Sequence, residues 1–169
     1  MKLNLGCGHR LLDGFVNVDL PGNWSNKLPD VAADVTKRLP FDDGSAEEVH
    51  AYHVLEHIWR WQVEDTLRDW VRVLAPGGQL VLEMPCFEKV FGYIARCARQ
   101  GEALEPRMSV WAMYGDPNYK SEAMTHKWLW SKAELRDVLT GLGLVDVAVE
   151  APHTHIAARD MRMVARKPA

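Results

Sequence analysis

The sequence has few features that would place the protein in a membrane or outside the cell. No apolar run in its 169 residues approaches the roughly 20 that cross a bilayer. The segment from Met1 to Gly6 lacks the apolar stretch and cleavage site of a secretion signal. Only three cysteines occur, Cys7, Cys86 and Cys97, without metal-like spacing. We therefore expect free thiols in a reducing compartment, a cytoplasmic location and no membrane partner.

The sequence also lacks an excess of basic residues. It has 20 Lys and Arg against 23 Asp and Glu, for a formal net charge of −3. This balance argues against a polymeric nucleic-acid partner, because the binding of a phosphate backbone depends on dense positive charge. The length fits one domain, which we expect to span residues 1–169.

Short apolar runs and two helical patterns outline the expected secondary structure. A helix is predicted over Val63–Leu74, where apolar residues share one face, with its end at Ala75–Gly78. A capping box at Ser131 and Glu134 predicts the start of a second helix, which Gly141 and Gly143 end. Strands are predicted at residues 3–5, 15–18, 31–35, 48–52, 80–82, 144–149 and 161–165.

The order of these elements indicates an α/β fold with a mainly parallel sheet. The last two strands have no room for a helix between them, so we expect them to be antiparallel neighbours. Residues 87–130 fit no simple alternation of strand and helix. We interpret them as a lid or substrate-recognition excursion.

Three predicted strands end in residues suited to ligand binding. Gly6-Cys7-Gly8 follows the first strand, where two glycines let the backbone approach a ligand closely. Asp19 ends the second strand and can accept hydrogen bonds from ribose hydroxyls. Asp34, at the end of the third strand, can accept one from an adenine amino group. These ends should lie side by side at the carboxyl edge of the sheet, where open α/β folds bind ligands.

With these motifs, the sequence resembles class I S-adenosylmethionine-dependent methyltransferases, strongly over residues 1–86. It looks most like a compact predicted subgroup often associated with surface-glycan genes. The segments that carry the resemblance are Leu3–Gly8, Asn17–Asp19, Ala33–Val35, Leu39–Phe41, His53–His57 and Val73–Gly78.

The resemblance implies a Rossmann-like, doubly wound fold with an antiparallel C-terminal strand and S-adenosylmethionine as cofactor. It also implies O- or N-methylation of a small-molecule or glycan acceptor. The residues expected to bind the cofactor are Gly6, Cys7, Gly8, Asp19, Leu20, Asp34, Val35, His53 and His57.

Two departures from the family pattern bear on the cofactor site. The connection from Gly8 to Asp19 is too short for the usual helix, and the sequence starts at the first strand without the usual N-terminal helices. We expect residues 87–130, or a partner subunit such as a second copy in a homodimer, to cover the cofactor. A non-catalytic cofactor-binding subunit is therefore an alternative. Leu11 stands where a dinucleotide-binding loop has its third glycine, which argues against a nicotinamide dehydrogenase.

The segment His53-Val54-Leu55-Glu56-His57 allows more than one interpretation. As H-x-x-E-H on a helix it would match the inverted zinc-protease signature, and a zinc hydrolase is a second alternative. Because the segment begins where a strand ends, we favour a role beside the methyl group and predict no metal site. His53 is the first candidate for the base, His126 is the second, and His57 is expected to orient the cofactor.

Overall fold

A computed structural model describes residues 1–22 and 27–169, and within these ranges seven strands form one sheet. The strand order is β3-β2-β1-β4-β5-β7-β6. The strands are β1 (Lys2–Leu5), β2 (Val16–Asp19), β3 (Val31–Ala32), β4 (Ala46–Tyr52), β5 (Leu74–Pro85), β6 (Val145–Glu150) and β7 (Asp160–Arg166). The helices are α1 (Arg60–Val73), α2 (Phe87–Gln100), α3 (Val110–Tyr114) and α4 (Lys132–Gly141), with 3-10 turns at Leu55–His57, Pro106–Met108 and Glu122–Met124.

The first five strands are parallel, and β7 runs antiparallel to both β5 and β6. The prediction of a mainly parallel sheet with an antiparallel C-terminal strand is confirmed. Residues 151–159 join β6 to β7 and are too few for a crossover, so the chain can only turn back beside the preceding strand.

The connection between β1 and β2 contains no helix, as predicted. Two buried asparagines hold it instead. Asn4 Nδ2 donates to Asn17 Oδ1 at 2.9 Å and to Arg10 O at 2.8 Å. The Leu12 amide also donates to Asn17 Oδ1, at 2.8 Å. Side-chain amides on neighbouring strands therefore replace the packing that a helix would provide.

The core lies between the sheet and α1, whose apolar face was predicted from its spacing. Val63, Leu67 and Trp70 on α1 are fully buried, and Trp70 Nε1 donates to Val35 O at 2.9 Å. Burial of such large side chains is the main source of stability in a domain of this size. None of the described helices is long and apolar enough to cross a bilayer.

Three local predictions differ from the structure. The third strand ends at Ala32, because Asp34 turns the chain by accepting hydrogen bonds from the amide and hydroxyl of Thr36. Residues 75–78 end α1 as predicted, but they belong to the extended β5, which begins directly at Leu74. At the start of α4, Ser131 Oγ accepts from the Glu134 amide, whereas the Glu134 side chain pairs with Arg60 and does not complete the capping box.

Candidate active site

The ends of β1, β2 and β3 lie together at the carboxyl edge of the sheet. The Gly8 amide, beyond β1, donates to Asp19 Oδ2 at 2.6 Å, so the first two strand ends are in direct contact. The Ala33 amide, beyond β3, donates to the Asp19 carbonyl at 2.8 Å. The structure therefore brings the three predicted cofactor-binding segments together.

Gly6 has a positive φ of 62°, a conformation that favours glycine. A Cβ placed there would lie 2.5 Å from Val54 Cγ2, well inside van der Waals contact. Gly6 thus lets β1 pass close to the segment after β4. The neighbouring Cys7 is buried, and burial, followed by the charge of Asp19, raises the pKa of its thiol to about 11. Cys7 is therefore a packing thiol rather than a nucleophile.

Asp19 is half-buried, and each of its carboxylate oxygens accepts one backbone hydrogen bond. Oδ2 accepts from Gly8, and Oδ1 accepts from the Leu20 amide at 2.7 Å. These bonds hold the carboxylate in place, and the Cys7 thiol also lies 4.0 Å from Oδ2. A carboxylate offers about four acceptor positions, so Asp19 keeps capacity to accept from a ligand. The Leu20 side chain is exposed beside it.

Asp34 and Val35 differ in their surroundings. Asp34 is half-buried, and its Oδ1 is held by Thr36. Val35 is buried in the core, and its carbonyl accepts the Trp70 indole hydrogen bond. Val35 therefore fixes the position of the β3 end from the core side, and Asp34 is the more accessible of the two.

His53 is held between two buried carboxylates at the end of β4. Its Nδ1 lies 2.9 Å from Glu56 Oε1, and its Nε2 lies 3.3 Å from Asp160 Oδ2, outside good hydrogen-bond alignment. Burial disfavours the charged imidazole, but Glu56 and Asp160 outweigh it and raise the pKa of His53 to about 9. With a carboxylate on each side, His53 is a fixed cation rather than a free base.

His57 and His126 lie on the other side of Glu56. Their rings meet edge to face with centroids 4.7 Å apart. The Nδ1 of His57 is 3.2 Å from Thr125 O, and the Nδ1 of His126 is 2.8 Å from Ala112 O. The structure therefore places His53 and His57 in different clusters, and the H-x-x-E-H segment does not form the helical pair of a zinc protease.

The segment from Thr125 to Trp128 closes over the 3-10 turn Leu55–His57. The amides of Lys127 and Trp128 both approach Glu56 O, at 2.6 and 3.3 Å. Residues 125–128 of the excursion therefore pack directly against this turn.

An aromatic cleft of about 340 Å³ lies beside residues 125–128. Trp59 and Trp61 stack with centroids 4.6 Å apart, and the Lys127 ammonium lies 5.4 Å from the Trp59 ring. The residues that line this aromatic cleft are Trp59, Arg60, Trp61, Lys127 and Trp128.

Sequence reasoning missed a buried charge network beneath the site. Glu83 on β5 is fully buried and accepts from Arg162 Nη1 at 2.8 Å and from the Thr154 amide and hydroxyl. Asp160, also fully buried, holds His53. The available signal was an acidic residue within the apolar strand Leu80-Val81-Leu82-Glu83-Met84, since buried charges are rarely unpaired.

Comparison with known proteins gives one family and several related folds. Residues 16–82 match the family model described as a methyltransferase domain. No curated protein sequence matches the chain. A SAM-dependent methyltransferase from Archaeoglobus fulgidus superposes with a TM-score of 0.66 at 16% identity, over 98% of this chain and 85% of that one.

Two other solved structures have the same fold. Human N-acetylserotonin methyltransferase in complex with SAM gives a TM-score of 0.61 at 17% identity, over 99% of this chain but only 47% of that one. A complex between the Haloferax volcanii Trm112 methyltransferase activator and the putative methyltransferase gives 0.57 at 18% identity, over 99% of this chain and 82% of that one.

The chain shares its overall fold with these neighbours, and the family match covers the region from β2 into β5. The resemblance predicted from the sequence is confirmed. The chain therefore has the fold of solved S-adenosylmethionine-dependent methyltransferases, and residues 16–82 match the methyltransferase domain, which supports S-adenosylmethionine as the cofactor.

Proposed function

We propose that the chain transfers a methyl group from S-adenosylmethionine to a hydroxyl or amine of a small polar acceptor, such as a sugar or a glycan end. The observation that carries the proposal is the contact between the first two strand ends, where Gly8 binds Asp19 at 2.6 Å. This contact builds a concave backbone around an anchored carboxylate, which is the arrangement that suits an adenosyl group.

The cofactor would lie across the ends of β1, β2 and β3. Asp19 would accept from the ribose hydroxyls with the lone pairs that Gly8 and Leu20 leave free. Asp34 would accept from the adenine amino group. The backbone of Gly6-Cys7-Gly8 and the Leu20 side chain would cover the nucleoside, and Val35 would support it from the core.

The acceptor would enter from the side of the aromatic cleft. Sugar rings present apolar C–H faces that pack on aromatic rings, and their hydroxyls need polar partners at the rim. The stacked pair Trp59–Trp61 supplies the aromatic face, and Lys127 supplies a donor beside it. These features support a sugar over a purely apolar acceptor.

Methyl transfer is an in-line displacement that asks little covalent chemistry of the protein. The acceptor lone pair forms a bond to the methyl carbon, the carbon–sulfur bond breaks, and neutral S-adenosylhomocysteine leaves. Positioning and exclusion of water supply most of the acceleration.

The acceptor also loses a proton, which requires an accepting group. His126 fits this role better than His53, because its Nδ1 donates to Ala112 O and its Nε2 therefore keeps a lone pair. His53, between Glu56 and Asp160, would instead act as a fixed positive charge beside the methionine end of the cofactor. His57 would orient that end from the opposite side of Glu56.

A non-catalytic cofactor-binding subunit remains the alternative function. The helix-free connection after β1 leaves the cofactor with a thin cover, which a partner subunit or a second copy would complete. One structural neighbour is a complex that contains a methyltransferase activator. We also propose a cytoplasmic location, because Cys7, Cys86 and Cys97 are all free thiols.

Calorimetry and product formation separate these functions. We expect the chain to bind S-adenosylmethionine and to release S-adenosylhomocysteine with at least one member of a panel of sugars, nucleotide sugars and amines. Asp19→Ala should weaken cofactor binding by about 1–3 kcal/mol, roughly 5- to 150-fold, because ribose hydroxyls lose their acceptor. Asp13→Ala, an exposed change in the same connection, is the control and should leave the affinity unchanged.

Each outcome of this experiment has a distinct meaning. Cofactor binding without product across the panel would favour the non-catalytic subunit. Absence of cofactor binding by the folded chain would contradict both functions, and an Asp19→Ala variant with unchanged affinity would contradict the ribose role.

A further inference from the structure

Glu56, His57 and His126 form a compact group of potential metal ligands, here called the carboxylate–histidine cluster. One carboxylate oxygen and one nitrogen from each imidazole lie within 4.8 Å of one another. Glu56 is buried, and both histidines are half-buried and reach toward solvent on one side. The cluster joins the 3-10 turn after β4 to the excursion at residues 87–130.

The backbone sets the orientation of both imidazole rings. Thr125 O lies 3.2 Å from the Nδ1 of His57, and Ala112 O lies 2.8 Å from the Nδ1 of His126. A carbonyl oxygen can only accept, so each Nδ1 carries the hydrogen and each Nε2 keeps its lone pair. A backbone carbonyl on the second ring nitrogen is the arrangement that orients histidines for metal binding.

Glu56 contributes an independent observation. Its Oε1 binds His53, while its Oε2 is buried without a hydrogen-bond partner among the described residues. A buried carboxylate oxygen without a partner is costly, so such atoms normally face an ion, a water or a donor. Here the nearby groups are two imidazoles whose remaining nitrogens are themselves acceptors, and a cation satisfies all three atoms at once.

We propose that the carboxylate–histidine cluster binds one divalent first-row transition-metal ion, with Zn²⁺ as the reference cation. Two imidazole nitrogens and one carboxylate oxygen are a donor set that suits such ions. Metal–ligand distances of about 2.0–2.2 Å require the three donors to move closer together. Both imidazoles are only partly buried, which leaves them room to move, and three protein ligands leave a fourth tetrahedral position for water or substrate.

This ligand set differs from that of the H-x-x-E-H signature, and it departs from our expectation of no metal site. His53 is excluded because carboxylates flank both of its ring nitrogens. His126, which is 69 positions from His57 in the sequence, takes its place. The second group of candidate ligands, His53, His155 and Asp160, is less suited, because Arg159 and the Ile156 amide already bind the Asp160 oxygens.

The proposal changes the role of His126 if the chain is a methyltransferase. His126 would then be a ligand, and an acceptor hydroxyl bound at the open position would have a lower pKa and could release its proton to solvent water. Occupancy of the cluster does not depend on this consequence or on the proposed function.

Metal analysis and calorimetry test the proposal directly. The purified chain is stripped with EDTA, dialysed and titrated with ZnCl₂ at neutral pH. We expect close to one equivalent to bind, and His126→Gln and His57→Gln to weaken the affinity at least tenfold. His155→Gln, which alters the neighbouring group of ligands, is the matched control and should bind as the unmodified chain does.

Two further measurements keep the result interpretable. Circular dichroism of the metal-free variants checks that they are folded, and Co²⁺ bound to the unmodified chain should give a visible d–d absorption band that excess Zn²⁺ removes. No Zn²⁺ binding by the unmodified chain, or loss of binding in His155→Gln alone, would overturn the proposal. Binding of S-adenosylmethionine is measured on the same metal-free sample. Its absence would contradict the proposed methyltransferase function, whatever the result for Zn²⁺.

Discussion

The two sides of the site are built in different ways. The proposed cofactor side comes from residues 6–35, where backbone amides, the positive-φ glycines Gly6 and Gly8 and two turn-forming carboxylates shape the edge of three neighbouring strands. The acceptor side joins the turn after β4 to residues 112–128 and to Asp160 on β7, and it depends on buried charges and imidazoles. The first side is built from residues close together in the sequence and contains few ion pairs. The second is built from residues far apart in the sequence and contains several buried charges.

In the proposed function, the first side would bind the cofactor and the second would select the acceptor, so the two tasks fall on different parts of the chain. A cofactor edge made of backbone tolerates few changes at its glycines but many elsewhere. An acceptor wall made of paired charges is stable only while each charge keeps its partner. Mutations on the two sides should therefore change the free energy of unfolding and the KM by different amounts.

The largest effect is expected from the charge network beneath the acceptor side. Arg162→Met leaves the fully buried Glu83 without its ion-pair partner, and we expect a loss of about 3–5 kcal/mol in the free energy of unfolding. Urea denaturation measures it. Arg166→Met, an exposed position on the same strand, is the control and should cost less than 1 kcal/mol. Equal losses of unfolding free energy in the two variants would show that the Arg162–Glu83 pair contributes no more to stability than an exposed arginine does.

A smaller effect is expected at the glycine of the cofactor side. Gly6→Ala combines a positive φ with a Cβ placed 2.5 Å from Val54, whereas Gly14→Ala has a positive φ of 78° with nothing within 4 Å. The difference between the two variants isolates the steric contact, and we expect about 1–3 kcal/mol in unfolding free energy. Identical stabilities would mean that Val54 moves aside without cost.

The smallest effect is expected in the aromatic cleft. Trp61→Ala should raise the KM for a sugar acceptor roughly two- to tenfold, because one member of the stacked pair is lost. This corresponds to a loss of about 0.5–1.5 kcal/mol in binding free energy. Phe91→Ala alters a similar exposed stacked pair, Phe87–Phe91, outside the cleft, and should leave KM unchanged. Steady-state kinetics on both variants measure the difference. A change shared by both would assign it to general stability rather than to the cleft.

The meeting of the three strand ends could be predicted because its signals are short in sequence. Gly6, Asp19 and Asp34 each follow an apolar run, and parallel strands place such ends on one edge. The absence of a helix between β1 and β2 also followed from spacing. The tightness of the loop did not, because it depends on the Asn4–Asn17 pair, whose partners meet only when the strands are side by side.

The acceptor side was harder to predict. His53, Glu56, His57 and His126 were all noticed, and the strand end at His53 argued against a shared helical face with His57, but no local pattern paired His57 with His126. The positive φ of His53 and the 3-10 turn after it direct these two side chains into separate clusters. The carboxylate on the far side of His53, Asp160, belongs to β7 and has no local signal.

The sequence by itself determined the α/β class, the strand ends that form the proposed cofactor edge and the resemblance to class I methyltransferases, because each depends on residues close together in the chain. Only the tertiary structure decided which carboxylate pairs with which histidine and which aromatics share a cleft. Those contacts join segments that the chain separates by tens of residues, and burial, which sets the strength of every charge interaction among them, exists only in the folded protein.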